Sequence, residues 1–162
     1  MLNKICDIDG IDHWVISKLK SNLSKIFVAE FNPIFGSELE ITVPDTGKFD
    51  RTNYHYSNLC FGVSLKALIK IMEKKNYYFL GTNLLKVNAF FVSNDFEKEK
   101  FFPKNHLERL SYYTNSNIRE SRDVDNNLNY LSGKKRLKAI ENCEVIDLSN
   151  DKFKLCKIND SI

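Results

Sequence analysis

The sequence lacks the short motifs that usually mark a nucleotide, zinc or esterase site. It contains no Gly-x-Gly-x-x-Gly loop, no Walker loop, no His-Glu-x-x-His pair and no Gly-x-Ser-x-Gly elbow. Its four cysteines, at positions 6, 60, 143 and 156, include no Cys-x-x-Cys pair, so neither a zinc ribbon nor a redox motif is indicated. Any function must therefore be argued from individual side chains that the fold brings together.

Long apolar runs and a strong charge of one sign are absent too. No apolar stretch approaches the roughly 20 residues that a membrane-spanning helix needs, and the first dozen residues lack the apolar run of a signal peptide. The net charge is only +3 although 28% of the 162 residues are charged, which gives no strong field for nucleic acid or an anionic membrane. We therefore expect a soluble, cytoplasmic protein with a small-molecule substrate and no nucleic-acid or membrane partner.

The first part of the chain predicts a parallel strand-helix-strand unit. Residues 3–8 are a short apolar run that leads into Asp9 and Gly10, as is typical of a buried strand that meets a turn. From Asp12 the apolar residues follow a near-helical spacing, and Asp12 is placed to cap the first turn of that helix. Residues 25–32 have an unbroken apolar centre, which suits a second parallel strand. Because the helix between them allows a right-handed crossover, the two strands should be parallel neighbours.

The later segments predict a mixed sheet and a small C-terminal extension. After the loop-like residues 35–58, we expect a helix at 64–75, strands at 77–81 and 87–93, a helix at 133–142, and strands at 143–148 and 153–158. The link between the first two of these strands is too short for a crossover, so they should form an antiparallel hairpin. The prediction is a three-layer α/β fold over residues 1–98, then a polar linker with a small α+β extension over residues 99–162.

Acidic side chains occur where the first two predicted strands end. Asp7 and Asp9 lie two residues apart, so their side chains should point to one side and could share a proton or a divalent cation. Glu30 interrupts an apolar strand, and burial of a lone carboxylate is costly, so it should face the sheet edge, a cation or a hydrogen-bond donor. The alternative is structural, with one aspartate capping the next helix while Gly10 makes the turn.

Two further features have a functional and a structural interpretation. Asp9 and His13 could lie one helical turn apart and form a base with its orienting partner, although a surface contact is the commoner outcome. The basic run Lys134–Lys138 could bind phosphate, but a solvated helix face explains it better.

Three stretches together resemble a known family. They are Asp7-Ile-Asp-Gly-Ile-Asp-His-Trp-Val15, Glu30-Phe-Asn-Pro-Ile-Phe-Gly36, and Gly62-Val-Ser-Leu-Lys-Ala-Leu68 with Asn88-Ala-Phe-Phe-Val92. This order of motifs is similar to FkbM-like class I S-adenosylmethionine-dependent methyltransferases. The resemblance implies a Rossmann-like sheet whose fourth to seventh strands correspond to this chain, the last of them antiparallel. It places the glycine-rich cofactor loop upstream of the matching part.

The resemblance also implies the site and the partners. Asp7 and Asp9 would flank the substrate or the methyl group, and Asp9 could act as the base. Glu30 and Asn32 would line the neighbouring wall. Apart from the resemblance, the position at strand ends makes Asp7, Asp9 and Glu30 candidate catalytic residues, and Asp12, His13 and Asn32 candidate substrate contacts. S-adenosylmethionine would be the cofactor, and no protein-bound metal is expected. A chain that carries only the C-terminal half of such a domain would be inactive alone, or would need a second copy or another chain to cover the edge of its first strand.

Two rival interpretations stay open. Asp7-x-Asp9-Gly10 followed by Thr82-Asn83 looks like the first two motifs of haloacid-dehalogenase-type phosphatases, with Asp7 as nucleophile, Asp9 as acid and base, and Mg²⁺ as cofactor. Ile11 stands where that family usually has threonine, and no later strand ends in its acidic motif. The third interpretation is a non-catalytic domain that binds a partner.

Overall fold

Two β-sheets organise the chain in a computed structural model that describes residues 3–96, 120–150 and 153–161. The strands are β1 (Lys4–Cys6), β2 (Ile26–Glu30), β3 (Ile41–Thr42), β4 (Tyr77–Thr82), β5 (Asn88–Ser93), β6 (Glu144–Asp147) and β7 (Lys154–Lys157). The helices are α1 (Asp12–Lys18), α2 (Arg51–Tyr54), α3 (Leu65–Lys74) and α4 (Lys134–Ile140), with short 3₁₀ helices at Pro33–Phe35 and Ile158–Ser161.

The first sheet is mixed and has the strand order β1-β2-β5-β4. β1 and β2 are parallel, with Ile5 opposite Val28, which confirms the predicted strand-helix-strand unit. β5 runs antiparallel to β2 on one side and to β4 on the other, so the predicted hairpin is confirmed as well. β1 therefore forms one edge of this sheet and β4 the other.

The main core lies between this sheet and the helices α1 and α3. Ile16 of α1 and Leu68 of α3 are almost fully buried against Phe27 and Phe91 of the central strands. α3 begins after Ser64, whose hydroxyl accepts a hydrogen bond from the backbone N–H of Ala67. Both helices thus share one face of the sheet. The chain is mixed α/β as predicted, whereas the third layer stays a prediction, because no described helix packs on the opposite face.

A second, smaller sheet joins the loop after β2 to the C-terminal hairpin. Its order is β3-β6-β7, and all its pairs are antiparallel. The predicted helix and hairpin near the C-terminus are confirmed as α4, β6 and β7. Beneath them lies a second core of ten buried residues, namely Ile34, Phe35, Ile41, Val43, Leu59, Cys60, Ile140, Cys143, Val145 and Ile158.

The boundary near residue 98 and the first part of the polar linker lie outside the described residues. The described residues 120–131 contain a single β-bridge between Arg122 and Leu128 and no helix.

The basic run of α4 is not a uniformly solvated face, because Arg136 is fully buried, while Lys138 does reach Glu141 with an N–O distance of 2.7 Å. None of the described helices has the length and apolar character needed to cross a membrane.

Candidate acidic site

Three carboxylates meet where β1 and β2 end. One oxygen from each of Asp7, Asp9 and Glu30 lies within 4.8 Å of the others. β1 and β2 are parallel neighbours, so their carboxyl ends reach the same rim of the sheet, where ligand sites of such folds usually form. Asp7 and Asp9 are exposed, whereas Glu30 is buried. The strand ends thus bring the three side chains to one rim, and the catalytic roles assigned to them stay a prediction.

The loop that presents Asp7 and Asp9 is held from within by Asp12. The Asp12 carboxylate is fully buried and accepts hydrogen bonds from the backbone N–H groups of Ile8 and Gly10, at 3.3 Å each, and from the Cys6 thiol. Burial raises the pKa of Asp12, although these hydrogen bonds oppose the shift. The prediction that Asp12 caps α1 is wrong, because Ile11 is the N-cap residue and no side chain caps that end.

Gly10 is required because an aromatic ring fills the space beside it. A Cβ at this position would lie 2.4 Å from Cδ1 of Phe49. The preceding residue, Asp9, has a φ of 54°, in the left-handed region that aspartate tolerates better than most residues. The turn therefore combines a residue that tolerates a positive φ at position 9 with a residue that has no side chain at position 10.

Substitution of Gly10 by alanine should displace the Phe49 ring and destabilise the protein by about 2 kcal/mol, the usual cost of overpacking. The free energy of unfolding in urea measures this cost. The matched control is Gly10→Ala made in the Phe49→Leu variant, because the smaller leucine side chain leaves room for the new methyl group. If Gly10→Ala costs as much in that background as in the wild type, contact with the ring is not the cause.

Arg51, at the start of α2, is a site residue that sequence reasoning missed. Its Nη1 lies 3.0 Å from Oδ1 of Asp9, and its guanidinium stacks 5.2 Å from the ring centroid of Phe61. Residues 35–58 were expected to be loop-like, and no spacing in the sequence connects position 51 with position 9. The guanidinium offsets part of the negative charge of the cluster.

Asn32 shapes the wall next to Glu30. It is fully buried, and its amide donates hydrogen bonds to the carbonyl oxygens of Leu59, at 2.8 Å, and Phe61, at 2.9 Å. Its Oδ1 accepts a hydrogen bond from the N–H of Ile34 at 3.0 Å and so caps the short 3₁₀ helix. Both amide hydrogens are used inside the protein, so Asn32 fixes the loops around the site.

His13 lies in a different place from the three acids. It is 6% exposed and lines a cleft of about 180 Å³ between α1 and α3, together with Ser17, Lys70 and Lys74. Burial, and secondarily the charge of Lys74, lower the pKa of His13 to about 4, so its ring is neutral at pH 7. The sequence suggested that Asp9 and His13 form a base with its orienting partner. In the structure Asp9 pairs with Arg51 instead.

The arrangement offers acid-base and cation-binding chemistry. Clustered carboxylates can accept a proton from a substrate, hold a positively charged group or coordinate a divalent cation. Comparisons of the chain with protein-family models, with curated proteins and with solved structures find no match.

Proposed function

We propose that this chain is a methyltransferase-like domain that supplies the acceptor side of an active site. The observation that carries the proposal is the convergence of Asp7, Asp9 and Glu30 at the carboxyl ends of two parallel strands. The fold agrees with the resemblance in one further respect. Of the four strands in the first sheet, β5 comes last in the chain, and it is antiparallel to both of its neighbours.

The three acids would act on the acceptor. Methyl transfer depends mainly on holding the nucleophile in line with the methyl group, and a base is needed only where the acceptor must lose a proton. Asp9 is suited to be that base, because it is exposed and its orientation is fixed by Arg51. Asp7 and Glu30 would favour an acceptor that carries positive charge next to the reacting atom.

The described residues do not fit a binding loop for S-adenosylmethionine. Gly10 is the glycine of the turn after β1, and the Phe49 ring already occupies the space that a ligand would need there. The proposal therefore assigns no step to the cofactor on this part of the chain. The cofactor side would come from strands that extend the sheet beyond β1, supplied either by further sequence or by another chain.

The exposed edge of β1 supports such an extension. β1 pairs with β2 alone among the described strands, and Ile5 in its centre is 76% exposed. An edge strand with one side free of strand pairing and an exposed apolar side chain is prone to pair with another strand. We therefore expect the isolated chain to self-associate, and Ile5→Lys to weaken that association by about tenfold, because a charge on an edge strand opposes pairing.

Sedimentation velocity over a range of concentrations measures this association. Leu84→Lys is the matched control, because Leu84 is 99% exposed but lies in the turn between β4 and β5. Equal association of the Ile5→Lys variant and the wild type would show that β1 is not the contact.

Magnesium-dependent phosphatase chemistry is the second candidate. Three carboxylate oxygens within 4.8 Å of one another suit a Mg²⁺ ion. Strand order argues against it, because Thr82 ends β4 at the opposite edge of the sheet from β1. Three strand spacings, about 14 Å, separate the two edges, which is too far for Thr82 to share a phosphate with Asp7.

Equilibrium dialysis with labelled S-adenosylmethionine tests the proposal on the monomeric and the associated chain. We expect the monomer to retain no cofactor at micromolar concentration, and retention to appear only where additional strands complete the sheet. In parallel, hydrolysis of p-nitrophenyl phosphate with Mg²⁺ tests the rival. Phosphate-ester hydrolysis that is lost in Asp7→Asn would favour the phosphatase over the proposed methyltransferase. Tight binding of S-adenosylmethionine by the monomer would contradict the proposal that the cofactor side comes from additional strands.

A further inference from the structure

A cleft between α1, α3 and the second sheet lies apart from the acidic site. Its volume is about 180 Å³, and none of the three carboxylates lines it. His13 and Ser17 of α1 form one wall, and side chains of α3 that lie three or four positions apart form another. Leu148, which follows β6, and Phe153, which precedes β7, form the third side. The cleft therefore has its own set of residues.

The size and the apolar lining of the cleft suit a small ring. Ala67 and Ile71 of α3 line it together with Leu148 and Phe153. A cavity of about 150 Å³ lined by leucine, isoleucine and phenylalanine side chains holds a benzene molecule. The volume of about 180 Å³ is thus enough for one six-membered ring with a short substituent.

The charged side chains of the cleft are both cationic. Lys70 and Lys74 line it, and none of its described lining residues is acidic. Lys70 is held by Glu40, whose Oε2 lies 2.7 Å from the lysine Nζ. Lys74 forms no hydrogen bond or ion pair with any residue that the structure describes. Its ammonium group is therefore available to pair with an anionic group of a ligand.

His13 adds a polar atom without a hydrogen bond to the same cleft. Its side chain is 6% exposed, and Nδ1 has no hydrogen-bond partner among the described residues. A buried polar atom without a partner is unfavourable, and a neutral imidazole can donate through one nitrogen and accept through the other. A ligand oxygen beside the ring would supply an acceptor for a nitrogen that carries the proton. The ring thus favours a polar ligand over a hydrocarbon.

We propose that the cleft binds a small carboxylate whose apolar part is about the size of a benzene ring. The ring would lie against the apolar side chains of α3 and Phe153, and the carboxylate would accept hydrogen bonds from Lys74 and His13. Lys74 supplies most of the charge complementarity, because Lys70 is already paired within the protein. A neutral ligand of the same shape would lack the charge-assisted hydrogen bonds and bind more weakly. The inference is independent of the proposed methyltransferase chemistry.

Tryptophan fluorescence tests the proposal, because the single tryptophan of the chain contacts two residues of the cleft. The ring centroid of Trp14 lies 5.2 Å from that of His13 and 5.6 Å from that of Phe153. Titration of the full chain with sodium benzoate at pH 7 and constant ionic strength should give a saturable change in emission. The expected dissociation constant is on the order of 1 mM, as is typical of a ligand with so few atoms.

Benzyl alcohol is the neutral control ligand. It has nearly the same shape as benzoate and should bind about tenfold more weakly, because it cannot form the charge-assisted hydrogen bonds. Equal affinity for the two compounds, or a benzoate titration without saturable change, would overturn the proposal.

Two variants and a matched control locate the site. Lys74→Met should weaken benzoate binding about fivefold, a modest effect because the side chain is exposed to water. Lys66→Met is the control, since it removes the same charge from the same helix outside the cleft, and should bind benzoate like the wild type. Ser17→Phe should fill the cleft and abolish saturation transfer from the protein to benzoate in NMR spectra. Equal weakening by the two lysine variants, or unchanged transfer in Ser17→Phe with a wild-type circular dichroism spectrum, would contradict the proposed site.

Discussion

Substitution of Asn32 by alanine is expected to destabilise the protein by about 4 kcal/mol, because one side chain satisfies three buried backbone groups. Its amide serves the carbonyl oxygens of Leu59 and Phe61, and its oxygen serves the N–H of Ile34. Alanine would leave all three without a partner in a region closed to water. The free energy of unfolding, from urea titration followed by circular dichroism, measures the loss.

Two further variants show whether the hydrogen bonds are the cause. Asn32→Asp keeps an acceptor for Ile34 but places a carboxylate against two carbonyl oxygens, so it should be at least as destabilising as alanine. Asn53→Ala removes an exposed asparagine that bonds only to Asp50 and should change stability by less than about 0.5 kcal/mol. A cost below about 1 kcal/mol for Asn32→Ala would contradict the structural role that the contacts assign to Asn32.

The second large effect is a dependence of stability on pH that originates in His13. Burial lowers the pKa of His13 from 6.5 to about 4 in the folded protein. The unfolded chain therefore binds a proton at higher pH than the folded chain does. The contribution of His13 to stability is complete above pH 6.5 and is lost as the pH falls through 4, a loss of about 3 kcal/mol between pH 7 and pH 4.

Comparison of the wild type with His13→Gln isolates this effect. Glutamine is neutral throughout the range, so the wild type should lose about 3 kcal/mol more than the variant between pH 7 and pH 4. Asp12 works in the opposite direction, since its raised pKa makes its contribution largest at low pH and smaller as the pH rises. Because both proteins contain Asp12, the difference between them reports His13. Parallel curves for the two proteins would show that His13 titrates normally.

Local sequence signals predicted most of the first sheet. The acidic end of β1 and the apolar run of β2 predicted two parallel strands, and the short link between β4 and β5 predicted an antiparallel hairpin. The structure contains both. The pairing of β3 with β6 could not be read in this way. β3 has only two residues, Ile41 and Thr42, and its partner lies more than a hundred residues later. Such pairing depends on tertiary packing, to which no local pattern points.

The candidate site was also predicted only in part, because local patterns point to some of its residues and not to others. Asp7 and Asp9 follow β1 and Glu30 is the last residue of β2, so the parallel direction of the two strands brings all three to one rim. Arg51 and Phe49 come from a connection with no periodic pattern, and only the folded chain brings them to Asp9 and Gly10. The assignments of Asp12 and His13 to substrate binding are untested, but both side chains lie inside the protein. Residue type alone does not separate a buried acid that braces a loop from an exposed acid that faces a ligand.

A crystal structure of the chain at neutral pH tests the central claim most directly, since the proposed function depends on where three carboxylates lie. The expected result is that one oxygen from each of Asp7, Asp9 and Glu30 falls within about 5 Å of the others, at the rim where β1 and β2 end. A structure in which β1 leaves the parallel ladder, or in which Glu30 points away from Asp9, would contradict the claim and remove the basis for the proposed site.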